Sequence, residues 1–428
     1  MPSLRPICAV TLFVGRPLDL FGNKVMNAQI VKAAVVLGLL SVIGPLAIDM
    51  YLPALPAIGA DLNAGVAAVQ QSLMAYMAAI AVCQLAYGPL SDMFGRKPPI
   101  YFGIVLYIVA SLGAAWAPSI EWLVLFRFLQ GVGACASMSL PRAIVRDGYT
   151  GAEAAQLMSL LMLVFSISPI LAPLSGSIVL QFGDWRVMFY VMAVVGVLSL
   201  LLLVFGLKET RPKEARLESS LGGAFRAYWQ LLRDWRFIGL SLIGAFGMAS
   251  FMAFLGNSSF VYIEHYGLTP TLYSLAFSVN AVSFFAVSQA TGYLVGRFGL
   301  PRVVRVAVGG YVTAMLALLA LFLLGIDSIW ALAVLMFIAF GFLGLVLPST
   351  GVLAMEEQGE IAGSASALMG TLQMVIASVV MGIVGAFADG TAMPMVIGFA
   401  GCALAALVIT LVTLRGSAQS EPVAAPAE

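Results

Sequence analysis

G-P-L-S-D-M-F-G-R-K-P, residues Gly88 to Pro98, lies between two long apolar runs and packs two glycines, an acid and two adjacent bases into one tight turn. Its outline returns as G-Y-L-V-G-R-F-G-L-P-R, Gly292 to Arg302, with Gly88/Gly292, Leu90/Leu294, Phe94/Phe298 and Gly95/Gly299 coinciding. Gly296 stands in the second copy for Asp92, and Leu300 for Arg96. A turn repeated with decayed charges predicts a duplicated protein, one half of which keeps a working version.

What surrounds the turn decides its setting. Hydrophobic residues make up 61% of the chain and charged residues 10%, with a mean hydropathy of +1.03. A soluble domain is about 25% charged, so this is an integral membrane protein. One crossing of a ~30 Å hydrocarbon core takes about 20 apolar residues. The 428 residues carry twelve such runs: 33–54, 68–91, 99–117, 121–143, 153–180, 185–207, 237–262, 271–296, 302–325, 328–352, 361–388 and 391–414. Prolines within them (Pro45, Pro89, Pro169, Pro173, Pro348) are tolerated where neighbouring helices satisfy the freed backbone groups.

Lys and Arg mark the cytoplasmic side. With the N-terminus inside, 19 of the 21 basic residues fall in inner segments; the exceptions are Arg186 in an outer turn and Arg127 within the fourth run. Both termini are therefore expected inside. The longest loop, Lys208 to Arg236, divides six runs from six and reads as a solvated linker at an anionic leaflet. The expected organisation is an N-terminal extension (1–27), a six-helix half (28–207), a cytoplasmic linker (208–236), a second six-helix half (237–414) and a disordered tail (415–428). Met26 before the first long run reads like a true beginning, so residues 1–25 are expected to be a disordered extension or a misplaced start.

Composition also narrows the chemistry. The net charge of +1 points to no partner, and no basic–aromatic pattern suggests nucleic acid. Cys8, Cys83, Cys135 and Cys402 lack metal-ligand spacing, and His265 is the only histidine. No metal, no cofactor and no enzymatic activity are expected.

Asp49 and Arg127 are the clearest charges well inside the apolar runs, and an ionisable group in hydrocarbon marks a pathway. Asp49 lies about 24 Å along a helix from Ala33, and Arg127 about 9 Å below Glu121, so both fall in the outer half of the membrane. Asp49 is read as the proton carrier, under opposing influences of burial and a nearby guanidinium; the alternative is a static Asp–Arg brace. Tyr51, Gln130, Asn257, Asn280 and Gln373 are candidate cavity-lining polar groups, each equally able to be an interhelical hydrogen bond. Glu264, beside His265, reads as a solvated or gating carboxylate.

Over about residues 30–414 the chain resembles a major facilitator superfamily transporter, and within it the Bcr/CflA branch of bacterial drug:proton antiporters. The Gly88–Pro98 turn resembles the superfamily's loop between helices 2 and 3; I-D-M-Y-L-P-A-L-P, Ile48 to Pro56, resembles the end of helix 1 in that branch. R-F-L-Q-G-V-G, Arg127 to Gly133, resembles the helix 4 motif of proton-coupled members, and S-F-V-Y-I-E, Ser259 to Glu264, the end of helix 7. The helix 5 antiporter motif is partly kept in Ala172-Pro173-Leu174-Ser175-Gly176-Ser177. The resemblance implies an all-α fold of twelve transmembrane helices in two pseudo-symmetric halves, with helices 1 and 4 side by side along a central cavity. It implies a cytoplasmic gate of Gly88, Asp92, Gly95, Arg96, Lys97 and Asp147, with Arg96 on Asp147 and Asp92 at the N-terminal end of helix 11. It implies a monomeric inner-membrane exporter of chloramphenicol- or bicyclomycin-like drugs in exchange for protons, with lipid as its surroundings. The alternative is a proton-coupled metabolite exporter with drug efflux incidental.

Overall fold

The computed structural model describes residues 28–211, 221–356, 358 and 361–414. The extension 1–27, the tail 415–428 and Cys8 lie outside the described residues. Among the described residues twelve helices are long and apolar enough to cross a membrane, which makes this a multi-pass membrane protein. We number them α1 (Ala28–Asp49), α2 (Val66–Phe94), α3 (Lys97–Ala115), α4 (Ile120–Gly148), α5 (Gly151–Phe182) and α6 (Arg186–Gly206). The second six are α7 (Trp235–Ser259), α8 (Pro270–Gln289), α9 (Leu300–Leu323), α10 (Ile329–Met355), α11 (Ala362–Ala386) and α12 (Met393–Thr413).

Packing repeats with an offset of six helices. In the first half α1 packs on α4, α5 and α6, α2 on α4, and α3 on α4 and α6; adding six to each number gives the second half. The halves meet along two seams, α2 with α11 and α5 with α8. Successive helices run in opposite directions, so the α2–α3 turn and the α6–α7 connection share one face, the linker face; we call the other the distal face.

Lipid tails are as apolar as leucine, so helices in a membrane associate by close packing around small residues. Between α3 and α4 the backbones nearly touch: a Cβ on Gly133 would sit 2.4 Å from the Gly103 carbonyl oxygen. Two positions where a side chain is forbidden thus set the spacing of this pair.

Four features differ from the expected runs. Pro53 and Pro56 break the first span, so α1 stops at Asp49 and continues, re-aimed, as a 3-10 turn (Leu52–Ala54) and a short helix (Leu55–Asp61). The helix α7 runs on through a π-helical turn, Phe260–His265. The run expected at 271–296 divides at Ala290, and a separate helix, Thr291–Phe298, leads into the repeated turn. The Lys208–Arg236 segment is not a plain solvated linker, since it contains the helix Leu221–Arg233. That helix buries Ala227 and Leu231, exposes Trp229 and Leu232, and hydrogen-bonds the Leu85 carbonyl through Tyr228.

Arg186, the basic exception on the distal face, is neutralised there. Its guanidinium meets Asp61 at 2.7 Å and Asp184 at 3.7 Å and lies over the Trp185 ring, which buckles the end of the first span to the start of α6. The second half has its own buckle, with His265 2.8 Å from Asp327 and the Tyr266 hydroxyl donating to the same carboxylate.

Substituting Gly133 by Leu is expected to cost about 1–3 kcal/mol by overpacking, with a lowered thermal midpoint of the purified protein and a smaller loss for Gly133→Ala. Unchanged midpoints for both would contradict the contact.

Candidate functional site

Arg127 projects from α4 into the core of the first half with no exposure. Tyr51 and Tyr76 sandwich its guanidinium, with centroids 4.5 and 4.4 Å away, and the buried Tyr107 of α3 lies within its electrostatic reach. Its Nη1 donates to Gln130 Oε1 at 2.5 Å, one turn along the same helix. Gln130 Nε2 donates in turn to Ser111 Oγ on α3 at 2.7 Å. The sandwiching rings are themselves fixed: Tyr51 shares a hydrogen bond with Ser72 at 2.8 Å, and the Tyr76 hydroxyl donates to the Gly44 carbonyl at 3.1 Å. A cation over two aromatic faces recovers through ring quadrupoles part of what dehydration costs. Arg127 Nε and Nη2 are left without acceptors.

Asp49 is the last residue of α1, 4% exposed. Among the described residues its carboxyl has no hydrogen bond and no ion pair; the phenols within electrostatic reach are Tyr76 of α2 and Tyr273 of α8. The expected partnership of Asp49 and Arg127 is therefore not made in this conformation. The physical reason is competition: two rings and Gln130 hold the guanidinium inside the first half, whereas α1 turns Asp49 toward the seam where α8 approaches.

The same competition reassigns the expected cavity wall. Tyr51 and Gln130 are fully buried partners in the Arg127 cluster, not lining residues. Asn257 is in the seam, accepting from Gln70. Asn280 is buried on α8, and Gln373 is half-buried on α11 beside Gly244 of α7. Glu264 is exposed at the distal end of the α7 extension, lining a small recess with Asn257 and Thr391.

The helix 5 residues do come together with α1. A Cβ on Gly176 would fall 2.1 Å from the Met50 carbonyl oxygen, so a bare backbone there lets α5 press against the residue following Asp49. The Ser274 hydroxyl of α8 lies 3.0 Å from the Pro173 carbonyl. Pro173 and Gly176 thus connect the end of α1 to the α5–α8 seam.

On the linker face the quoted turn is a charged knot. Gly95 adopts φ +98°, in the region that favours glycine, and drops the chain from α2 into α3. Arg96, 1% exposed, donates from Nε to Asp147 at 2.6 Å and from Nη1 to Ser91 at 2.6 Å, and meets Asp92 at 2.7 Å. Lys97 Nζ donates to the Leu207 carbonyl at 2.7 Å, and Gly88 is open on its Cβ side. The Arg96–Asp147 pairing is as expected, but among the described residues Asp92 makes no contact with helix 11: its partners there are Arg96 and, at 3.7 Å, Arg211. Sequence reasoning missed Glu209. Its carboxylate accepts from the backbone N–H of Arg96 at 2.9 Å and of Lys97 at 3.1 Å, an acid at the positive end of α3. Its signal was K-E-T-R at the close of the sixth run, which reads like any polar linker.

Residues 37–381 match the sequence profile of the Major Facilitator Superfamily. The chain belongs to the Major Facilitator Superfamily. It is 40% identical over 370 residues to YdgK of Bacillus subtilis (strain 168), named an uncharacterized MFS-type transporter, covering 85% of this chain and 90% of that one. A bicyclomycin resistance protein homolog of Haemophilus influenzae is 29% identical over 86% of this chain and 92% of its own. The multidrug resistance protein MdtL of Klebsiella pneumoniae (strain 342) is 31% identical over 86% and 92%. These relatives place the chain with the Bcr/CflA-type members. Among solved structures, a D-xylose-proton symporter superposes with a TM-score of 0.68 at 15% identity, over 90% of this chain and 97% of that one, which supports the twelve-helix fold.

Two substitutions separate the roles in the charged knot. Asp147→Ala takes from a buried guanidinium the carboxylate on its Nε, leaving Asp92 and Ser91 on Nη1, and is expected to destabilise by about 1.5–3 kcal/mol, read as lost thermal stability. Asp92→Asn, at a 35% exposed side chain, is expected to slow transport while membrane insertion stays intact; equal destabilisation by both would reject the distinction.

Proposed function

We propose that this chain is an inner-membrane drug exporter that exchanges amphiphilic molecules of the chloramphenicol and bicyclomycin kind for protons by alternating access. In this reading the linker face is cytoplasmic, both termini lie inside, and residues 28–207 and 237–414 are two halves rocking about their seams. A monomer suffices. The resistance-protein relatives support the substrate class, and the lean supply of reactive groups supports a transporter over an enzyme.

One observation carries the proton half of the proposal: a buried carboxyl, Asp49, with no hydrogen-bond or ionic partner, at the junction between the halves. A bare carboxylate in a low-dielectric site is costly, and a proton removes the cost. Asp49 therefore holds its proton while enclosed and releases it when the rocking halves expose it to water. Arg127 brings two unused nitrogens to the neighbouring helix, able to receive the carboxylate in another stage of the cycle. The energetics suffice: one charge crossing about 150 mV releases roughly 3.5 kcal/mol, enough at 1.4 kcal/mol per decade for a drug gradient of about two to three decades. Asn280 and Gln373 are left as the polar groups to line the substrate path, and the surrounding methionines and aromatics suit adaptable apolar ligands.

The test is drug uptake into everted membrane vesicles under an imposed proton gradient. Asp49→Asn is expected to abolish proton-driven accumulation and drug-induced proton release while drug binding persists. Uptake at the unmodified protein's level by Asp49→Asn would overturn the proposal.

A further inference from the structure

Gln70 sits within the first two turns of α2, 1% exposed. Its amide leaves its own half: Nε2 donates to the Gly256 carbonyl at 3.0 Å and to Asn257 Oδ1 at 2.9 Å, both on α7. Asn257 is oriented to receive it, because its own Nδ2 donates to the Ala253 carbonyl at 2.8 Å. The remaining atom, Gln70 Oε1, has no partner. It occupies the space a side chain on α11 would take, for a Cβ on Gly385 would fall 1.7 Å from it. A side chain of the first half thus plugs a slot between two helices of the second, near the distal face.

We propose that Gln70 is the distal latch of the transport cycle, with Gly256, Asn257 and Gly385 as its keeper. The inference rests on the alternating-access reading above and names the contact that must part for the distal side to open. Closure gains two hydrogen bonds and leaves one buried carbonyl oxygen unsatisfied, whereas opening loses the bonds and hydrates all three positions. Such a closure holds one state without freezing it. Deeper along the same seam Gln84 Nε2 donates to the Ala367 carbonyl at 3.0 Å, and Thr371 to the Ala81 carbonyl at 3.0 Å. Those contacts lie nearer the middle of α2 and keep the seam joined while the distal end parts.

Gly385 supplies a test that ordinary packing damage would fail. A side chain at 385 evicts the Gln70 amide: the three atoms nearest the position its Cβ would occupy, at 1.7, 2.8 and 3.5 Å, all belong to Gln70, so every other atom is at ordinary contact distance or beyond. Gly385→Ala must therefore open the latch when Gln70 is present and do nothing more when it is absent. The full chain, with Cys8, Cys83, Cys135 and Cys402 replaced by alanine, carries nitroxide labels at Pro118→Cys and Ile326→Cys. These positions lie in distal loops of opposite halves, and their separation is read by pulsed electron resonance in liposomes. Gln70→Ala is expected to raise the distally open population about fivefold to tenfold. Gly385→Ala should match it, the double variant should equal either single one, and Asn257→Leu should fall between. Unchanged distances in Gln70→Ala, or a full additional effect of Gly385→Ala in the Gln70→Ala background, would overturn the latch. Proton-driven drug uptake by the unsubstituted protein in the same liposomes judges the transport reading separately, so either idea can fail alone.

Discussion

A guanidinium has to be kept inside a membrane protein, and the way Arg127 is kept there organises the first half. Two tyrosine faces, a glutamine and a serine from four of its elements converge on one charge. Each ring is tied off to another helix, so α1, α2, α3 and α4 cannot move independently without exposing the cation. That makes a rigid body out of helices that lipid would otherwise allow to slide. It also leaves Asp49, the last residue of α1, as the charge this cluster does not neutralise. A rigid scaffold and an unsatisfied carboxyl are made by the same arrangement.

The halves share their architecture but divide the chemistry. Gly95 and Gly299 both take positive φ, +98° and +78°, so the repeated turn survives as backbone in both places. Only the first copy carries an ion-pair knot among the described residues, and the buried charges Asp49 and Arg127 also belong to the first half. The second half instead contributes an aromatic cluster, with Phe254 against Phe277, Phe340 and Tyr262. With Gly296 and Leu300 at the positions of Asp92 and Arg96, the second turn keeps the backbone geometry without that ion pair.

Much of this was legible in the residues. Twelve spans, the two halves and the repeated turn follow from run length and from residues that only a tight turn needs, because the bilayer penalises any other solution. Asp49 and Arg127 were visible because charge in hydrocarbon is rare, and the Arg96–Asp147 pair through the turn's resemblance to the superfamily's loop. What stayed hidden was angular. The azimuth of Arg127 on α4, which selects Tyr51 and Gln130 as partners in place of Asp49, depends on helix rotation, and membrane helices apolar on all sides carry almost no rotational signal. Gln70 and Glu209 were overlooked for a related reason: an amide near a helix start and an acid in a polar connection are ordinary until a distant backbone supplies their partners.

The grip of Glu209 closes the first half upon itself. By binding backbone N–H groups rather than side chains, it fastens the end of the sixth helix to the head of the third. Arg211, donating its own N–H to the same carboxylate at 3.0 Å and pairing with Asp92 across 3.7 Å, extends the fastening by two residues. One carboxylate thereby clasps the first half shut on its linker-face side, joining the stretch after the sixth helix to the turn that opens the third.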